Sequence, residues 1–364
     1  MASIHPHTTK SGSRRWVVRY RDPMGGSREK WFDTKAEAVR HGTAQEARVH
    51  SGQWVDPARC RISLESWVET WRGTMVGLKP KTRDSYESLL RSRILPALGG
   101  MSLADIRPSG IKAWMAQMEA HGLSGSRITQ AVNLLSRILG DAVLDENIAR
   151  NPCSGIRRPG PRRAEITPLR PEEVSSLIDA ADPRYTALIA TLAYAGMRFG
   201  EACALRWKHV NLMLAELTVS ESLSVSSQGI EFGPTKTHAV RRIAIPRVLR
   251  AHLERHLAKS RANSPEDLVF TSPGGKAVRH SNFSRRVWRP AVTAIGRPNL
   301  RIHDLRHTCA SLLIHAGASL VNIADHLGHE NPTTTLKHYG HLLPGSREAI
   351  AKKLDEVVAS TIPS

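Results

Sequence analysis

The residues best suited to chemistry lie in RIHDLRHTCASLLIHAGASLVNIADHLGHENPTTTLKHYGHL, Arg301 to Leu342, where histidines and two arginines accompany one tyrosine. His303 and Arg306 stand three apart, which puts both on one face of a helix. Gly328-His329 follows, and Tyr339 comes ten residues after His329. A cationic pocket with a phenol at its edge suits chemistry on a phosphate. Arginine offers a fork of N–H donors that matches phosphate oxygens, which lysine does not reproduce. A phenol ionises near pH 10, so forming phenolate at neutral pH costs about 4 kcal/mol. Surrounding positive charge or a nearby base would lower that cost.

The elements that must position these groups read as three short helices. Leu305, Ala310, Leu312 and Leu313 can seat the first, and Gly317 stops it. Leu320 to Leu327 forms a second, closed by Gly328. Asn331-Pro332 looks like an N-cap and first-turn proline opening a third helix that delivers Tyr339. Residues 345–360 read as a further amphipathic helix. Upstream, Arg198 sits in AYAGMRFGEACALRW at a glycine-flanked helix junction, with Glu201 three residues on to hold its guanidinium. Strand-like runs at 217–223 and 241–246 bracket a polar segment that contains Lys236, with Lys208 and Arg241 as nearby basic decoys.

The formal net charge of +19 over 364 residues points to a polyanionic partner, nucleic acid above all. The basic residues run along the whole chain, so one appended tail does not explain them. Four cysteines without a CxxC pair read as buried free thiols in a reducing cytoplasm. No run is long and apolar enough to span a membrane, which argues against a membrane partner.

Fold class is multidomain, mainly α with small sheets (α+β). Residues 1–56 read as a small sheet plus helix, with 1–12 polar and loose, strands at 14–21 and 28–33, and a helix 35–50 capped by Thr34. Residues 57–155 read as all helix, with Thr82, Ser109 and Ser124 as N-caps. Residues 156–168 form a Pro, Gly and Arg linker, and 169–364 a mixed α/β domain. Candidate DNA contacts are Arg14, Arg19 and Arg28 on the first sheet, Lys79, Lys81 and Arg83 at a helix start, and Arg157 and Arg158 in the linker. On the sheet the aromatic-flanked arginines favour a face laid into a DNA groove over a solvated face, whereas each charge of the helical segment taken alone is more readily solvated surface than a contact.

Arg198, Lys236, the HDLR of 303–306, Gly328-His329 and Tyr339, in that order and spacing, resemble the tyrosine recombinase family, the integrases of phages and mobile elements. The resemblance implies a core-type DNA-binding domain at 57–155, an arm-type module at 1–56 and a catalytic domain at 169–364. It implies Tyr339 as nucleophile, forming a 3′-phosphotyrosine without ATP. Arg198 and Arg306 would hold the phosphate, His303 would assist proton removal, and His329 would donate to the phosphate. Lys236 would protonate the departing 5′ hydroxyl. The expected partners are double-stranded DNA attachment sites, three further copies in a homo-tetramer, and accessory bending or directionality proteins. The expected setting is the cytoplasm of a bacterial host, at the nucleoid. No cofactor and no metal is expected. The pairs His303/His307 and His326/His329 could attract zinc, but no HExxH is present and Arg306 would repel a cation. Two alternatives share these residues: a type IB topoisomerase-like relaxing enzyme, and a sequence-specific DNA-binding protein whose catalysis has lapsed.

Overall fold

The structure, a computed structural model, describes residues 2–8, 13–51, 54, 56, 61–160, 167–235 and 240–328, together with 331, 333, 336, 339, 351, 354, 355 and 358. The chain divides into two compact units, Met1–Arg163 and Ala164–Ser364.

The first unit opens with an antiparallel sheet, β1 (Ser3–Thr8), β2 (Arg14–Arg21) and β3 (Ser27–Phe32), in that order. β1 corrects the expectation of a loose start. It carries one aliphatic residue, Ile4, too little to mark a strand, yet Ile4 pairs with Val18 and packs on the small core. Backbone pairing with β2 satisfies polar groups that its side chains could not have announced. Helix α1 (Lys35–His50) begins where expected, the Thr34 hydroxyl accepting from the Glu37 N–H, and lays Ala38 against Val18 and Tyr20.

The rest of this unit, as far as it is described, is mainly α-helical: α2 (Leu64–Gly73), α3 (Pro80–Leu89) running through a π turn at Leu90–Ile94 into α4 (Leu95–Leu98), α5 (Pro108–Ala120) and α6 (Gly125–Leu144). Ser124 caps α6 as expected, but Thr82 and Ser109 lie inside their helices. Pro80 and Pro108 take the first helical position instead, where a missing N–H costs nothing. The core joins Trp67, Trp71, Leu90, Ile94, Trp114, Leu135 and Ile138. The two indole N–H groups of α2 are spent on α6, Trp67 donating to the Ile138 carbonyl (3.0 Å) and Trp71 to Asp141 (2.6 Å).

The second unit packs α7 (Pro171–Asp179), α8 (Thr186–Tyr194) and α9 (Phe199–Ala204) against two small sheets. One contains β4 (Val210–Asn211), β5 (Glu216–Val219) and β8 (Arg241–Ala244); the other is the hairpin β6 (Glu221–Ser226) and β7 (Gly229–Pro234). The single strand expected at 217–223 is therefore two, each in its own sheet, and β7 lies within the stretch read only as polar. Further on come α10 (Arg247–Lys259), α11 (His280–Phe283), α12 (Arg289–Ala294), α13 (Asp304–His315) and α14 (Leu320–Leu327). Helix α8 is buried along most of its length. The third helix is described at Thr333, Leu336 and Tyr339, all helical, with Asn331 accepting from the Thr333 N–H. Most of the tail helix at 345–360 lies outside the described residues.

The α8–α9 junction turns at Gly196, φ +61°, where an added Cβ would stand 2.6 Å from Leu327 Cδ2 and 3.0 Å from Cys309 Sγ. Gly196→Ala combines left-handed backbone strain with overpacking. It should cost on the order of 2–4 kcal/mol, read as a lowered denaturation midpoint of the second unit. An unchanged midpoint would mean that this junction relaxes freely.

Candidate active site

Helix α14 ends in a left-handed Gly328 (φ +68°), and its last carbonyls point out of the helix with no intrahelical donor. Three arginines take them in sequence. Arg241 Nε donates to the His326 carbonyl (3.1 Å), Arg306 Nη2 to the Leu327 carbonyl, and Arg198 Nη2 to the Gly328 carbonyl (3.2 Å). The negative end of a helix is a favourable place for cations. These arginines come from the start of α9, from β8 and from α13, so α14 gathers segments distant in the chain.

Arg306, 3% exposed, also donates to the Gly196 carbonyl (2.8 Å). Burial, followed by the neighbouring Arg198 charge, pulls its pKa down to about 10, which leaves it cationic at neutral pH. Its sequence neighbour Asp304 does not pair with it; Asp304 takes Arg301 instead (2.7 Å) and accepts from the Arg301 backbone N–H. Arg198 binds Glu201 at 2.8 Å, and the Glu201 carboxylate also accepts from the Arg198 backbone N–H. The Arg198 side chain remains 26% exposed, and a guanidinium has more N–H donors than these contacts use. Glu201 is 1% exposed, and burial by itself would raise its pKa. Hydrogen bonds and charge from Arg241, then from Arg198, outweigh that and hold the carboxyl below its ordinary value.

His303 stands at the N-terminus of α13, with part of its surface exposed and the rest packed against the site. Desolvation by the surrounding site lowers its pKa, and the charges of Arg306 and Arg198 push the same way, so the ring is neutral at pH 7. Tyr339 is 3% exposed, seated among Cys309, Ala310, Ile314, Ile323 and Leu327. Its hydroxyl lies 2.6 Å from His307 Nδ1. Burial pushes the phenol up to about 12, with the Arg306 charge opposing. The phenol is thus docked rather than displayed.

Of the residues expected here, Arg198, Glu201, His303, Arg306 and Tyr339 lie in this one unit around α14. Lys236 and His329 lie outside the described residues. Two contacts lie beyond the sequence expectation. The ring of His307, expected at most as half of a zinc pair, meets Tyr339, and Arg241, a basic residue near Lys236 in the sequence, has its side chain 8% exposed on Glu201. The one sequence signal for Arg241 is its place at the start of the strand-like run 241–246, which goes on to Ile243 and Ile245; for His307 it is the helical spacing from His303. His326 places its ring 3.8 Å from Cys309 Sγ. Among the described residues no cluster of His, Cys, Asp or Glu is arranged to hold a metal ion.

The expected DNA contacts divide by strand register. Arg19 shares a sheet face with Arg15 and Arg21, away from α1, and pairs with Glu29 (3.2 Å). Arg14 and Arg28 fall on the opposite parity, with Trp16 and Tyr20. Arg14 lies over the Trp16 ring, and Arg28 bonds Asp22 (3.0 Å) and Asp56 (2.7 Å). Lys79 and Lys81 are exposed at the start of α3, and Arg83 donates to the Met75 carbonyl (2.9 Å). Arg157 is exposed, whereas the Arg158 Nε is buried and has no hydrogen-bond partner among the described residues. No described helix is long and apolar enough to cross a membrane.

Residues 168–345 match the phage integrase family, and residues 63–118 match the N-terminal SAM-like domain of phage integrases. A putative prophage phiRv2 integrase of Mycobacterium tuberculosis is 31% identical over 95% of this chain and 93% of its own length. An integrase of Mycobacterium phage FRAT1 is 30% identical over 87% of this chain and 98% of its own. The fold is also that of the Tn1549 transposon integrase in complex with a circular intermediate DNA (TM-score 0.71, 20% identity, 81% of this chain and 99% of that one). A lambda integrase tetramer bound to a Holliday junction shares it as well (TM-score 0.57, 18% identity, 90% and 96%). Similarity that runs nearly end to end in both partners places the chain in the phage integrase family, as a tyrosine recombinase of the site-specific, phage and transposon type.

Proposed function

We propose that this recombinase cuts and rejoins duplex DNA at attachment sites through a 3′-phosphotyrosine on Tyr339, with no metal ion and no ATP, to integrate or excise a mobile element. The observation that carries the reading is the arginine cluster at the end of α14, with a tyrosine seated on the same helix pair. Arg198 and Arg306 hold the non-bridging oxygens, whose charge grows in the transition state. Glu201 holds Arg198. His303, neutral at pH 7, receives the phenol proton, His329 donates to the phosphate, and Lys236 protonates the departing 5′ oxygen. The bond energy is kept in the phosphotyrosine, so rejoining is the reverse attack by a 5′ hydroxyl.

A phenol held near pKa 12 would cost on the order of 7 kcal/mol to ionise at neutral pH. Tyr339, 3% exposed, must leave its apolar seat for its oxygen to reach a phosphate, and it loses its proton in step with attack. Residues 1–56 serve as an arm-type module, 57–155 as the core-binding domain, 156–168 as the linker and 169–364 as the catalytic domain. The described basic residues of the first unit, among them Arg19, Lys79, Lys81 and Arg157, meet the phosphate backbone. The working assembly is a homo-tetramer on two sites, as in the lambda integrase tetramer on a Holliday junction, aided by accessory bending or directionality proteins. The setting is the DNA of a bacterial cytoplasm.

Wild type incubated with EDTA and a nicked duplex carrying a candidate attachment core should give a covalent adduct on a denaturing gel, and Tyr339→Phe none. An adduct that persists in the phenylalanine variant would mean another nucleophile; no adduct on any core that the protein binds would favour lapsed catalysis. Single-turnover cleavage should fall as pH drops through the lowered His303 pKa, since imidazolium cannot accept a proton, and should level off above about pH 7. His303→Gln should lose that acid limb; identical profiles would remove His303 from proton transfer. With a net charge of +19, affinity for duplex DNA should drop steeply, by at least about tenfold, between about 50 and about 200 mM salt. A flat response would contradict backbone binding.

A further inference from the structure

Arg241 is an arginine without an assigned task. It begins β8, opposite Val219 of β5, yet its side chain turns inward rather than to solvent. Nη2 and Nη1 reach the two oxygens of Glu201 (2.6 and 3.3 Å), while Nε holds the His326 carbonyl. The guanidinium lies against Gly328: a Cβ there would stand 3.0 Å from both Arg241 Cδ and Nη1. A strand of the sheet is thus fastened at once to the carboxylate beside Arg198 and to the turn that precedes His329.

The charge count gives this contact a consequence. Glu201 is buried and ionised, and with Arg198 alone it would make a neutral pair. A neutralised Arg198 attracts a phosphate weakly, and a carboxylate with no second partner would draw the guanidinium into a full bidentate embrace. With Arg241 on its other side, Glu201 is shared, and the trio keeps one net positive charge. Shared in this way, Glu201 can orient Arg198 without consuming it.

We propose that Arg241 is a positioning residue of the recombination reaction, which keeps Arg198 charged toward the scissile phosphate by sharing Glu201 and fixes the His326–Gly328 turn against β8. The inference rests on the functional reading above, in which Arg198 binds the phosphate. It assigns Arg241 no contact with DNA, so its removal should slow the chemical step and leave binding in place.

The test uses full-length protein and the nicked duplex on which wild type, and not Tyr339→Phe, forms the covalent adduct; that control separates failure of the functional reading from failure of this one. Arg241→Met should lower the first-order cleavage rate at saturating duplex by at least about tenfold, with the Kd for that duplex changed by less than about threefold. Arg241→Lys, which restores the charge, should recover most of the rate. Glu201→Gln added to Arg241→Met should also regain rate, because it removes the charge that captures Arg198 while leaving an oxygen to orient it. A smaller loss in Arg241→Met, an equal loss in Kd, or folded lysine and double variants that cleave no faster than Arg241→Met would each overturn the proposal. Should Arg241→Met fail to melt cooperatively, the folded double variant decides, and absence of any covalent adduct from it overturns the proposal.

Discussion

Helix C-termini leave carbonyls that must be satisfied, and buried guanidiniums carry charge that must be balanced; in this protein each need meets the other. The carbonyls of His326, Leu327 and Gly328 receive Arg241, Arg306 and Arg198 in order. Without those acceptors, Arg306, almost fully buried, would be an uncompensated interior charge, a state that costs several kcal/mol. Without the arginines, the end of α14 would be an unsatisfied polar surface against the core. The left-handed Gly328 makes the meeting possible, since a side chain there would strike Arg241. The rest of the second unit holds this arrangement in register: the tight Gly196 turn brings α8 and α9 to α14, and β5 positions β8.

Tyr339 sits on the opposite logic. Its neighbours are apolar, its hydroxyl rests on His307, and burial makes its phenol a poorer acid than it is in water. In the proposed reaction this phenol has to give up its proton, and this seat does not help it do so. The arginine cluster, by contrast, is held by polar partners, the carbonyls at the end of α14 and the Glu201 carboxylate.

Basic charge in the first unit is similarly sorted by packing. Strand parity turns Arg19 outward with Arg15 and Arg21, while Arg28 is spent on Asp22 and Asp56 in holding the hairpin turn. Equal charge in the sequence therefore means unequal availability in the fold.

Much was legible in the residues alone. Arg198, HxxR, Gly-His and Tyr in one order carry the resemblance to the tyrosine recombinases, and the match to the phage integrase family bears that resemblance out. Helix starts at Thr34 and Ser124 were readable because capping is a local bond. Thr82 and Ser109 misled, since Pro80 and Pro108 compete for the same boundary and win by needing no N–H partner. β1 was invisible because its support comes from a neighbouring strand. What only the tertiary structure decided was pairing at long range. Arg241 and Glu201 are forty residues apart, and His307 and Tyr339 thirty-two, yet each pair is in hydrogen-bond contact. Sequence determines which groups are present and which local turns they prefer; which carboxylate an arginine meets is set by packing of distant elements, and no local spacing encodes it.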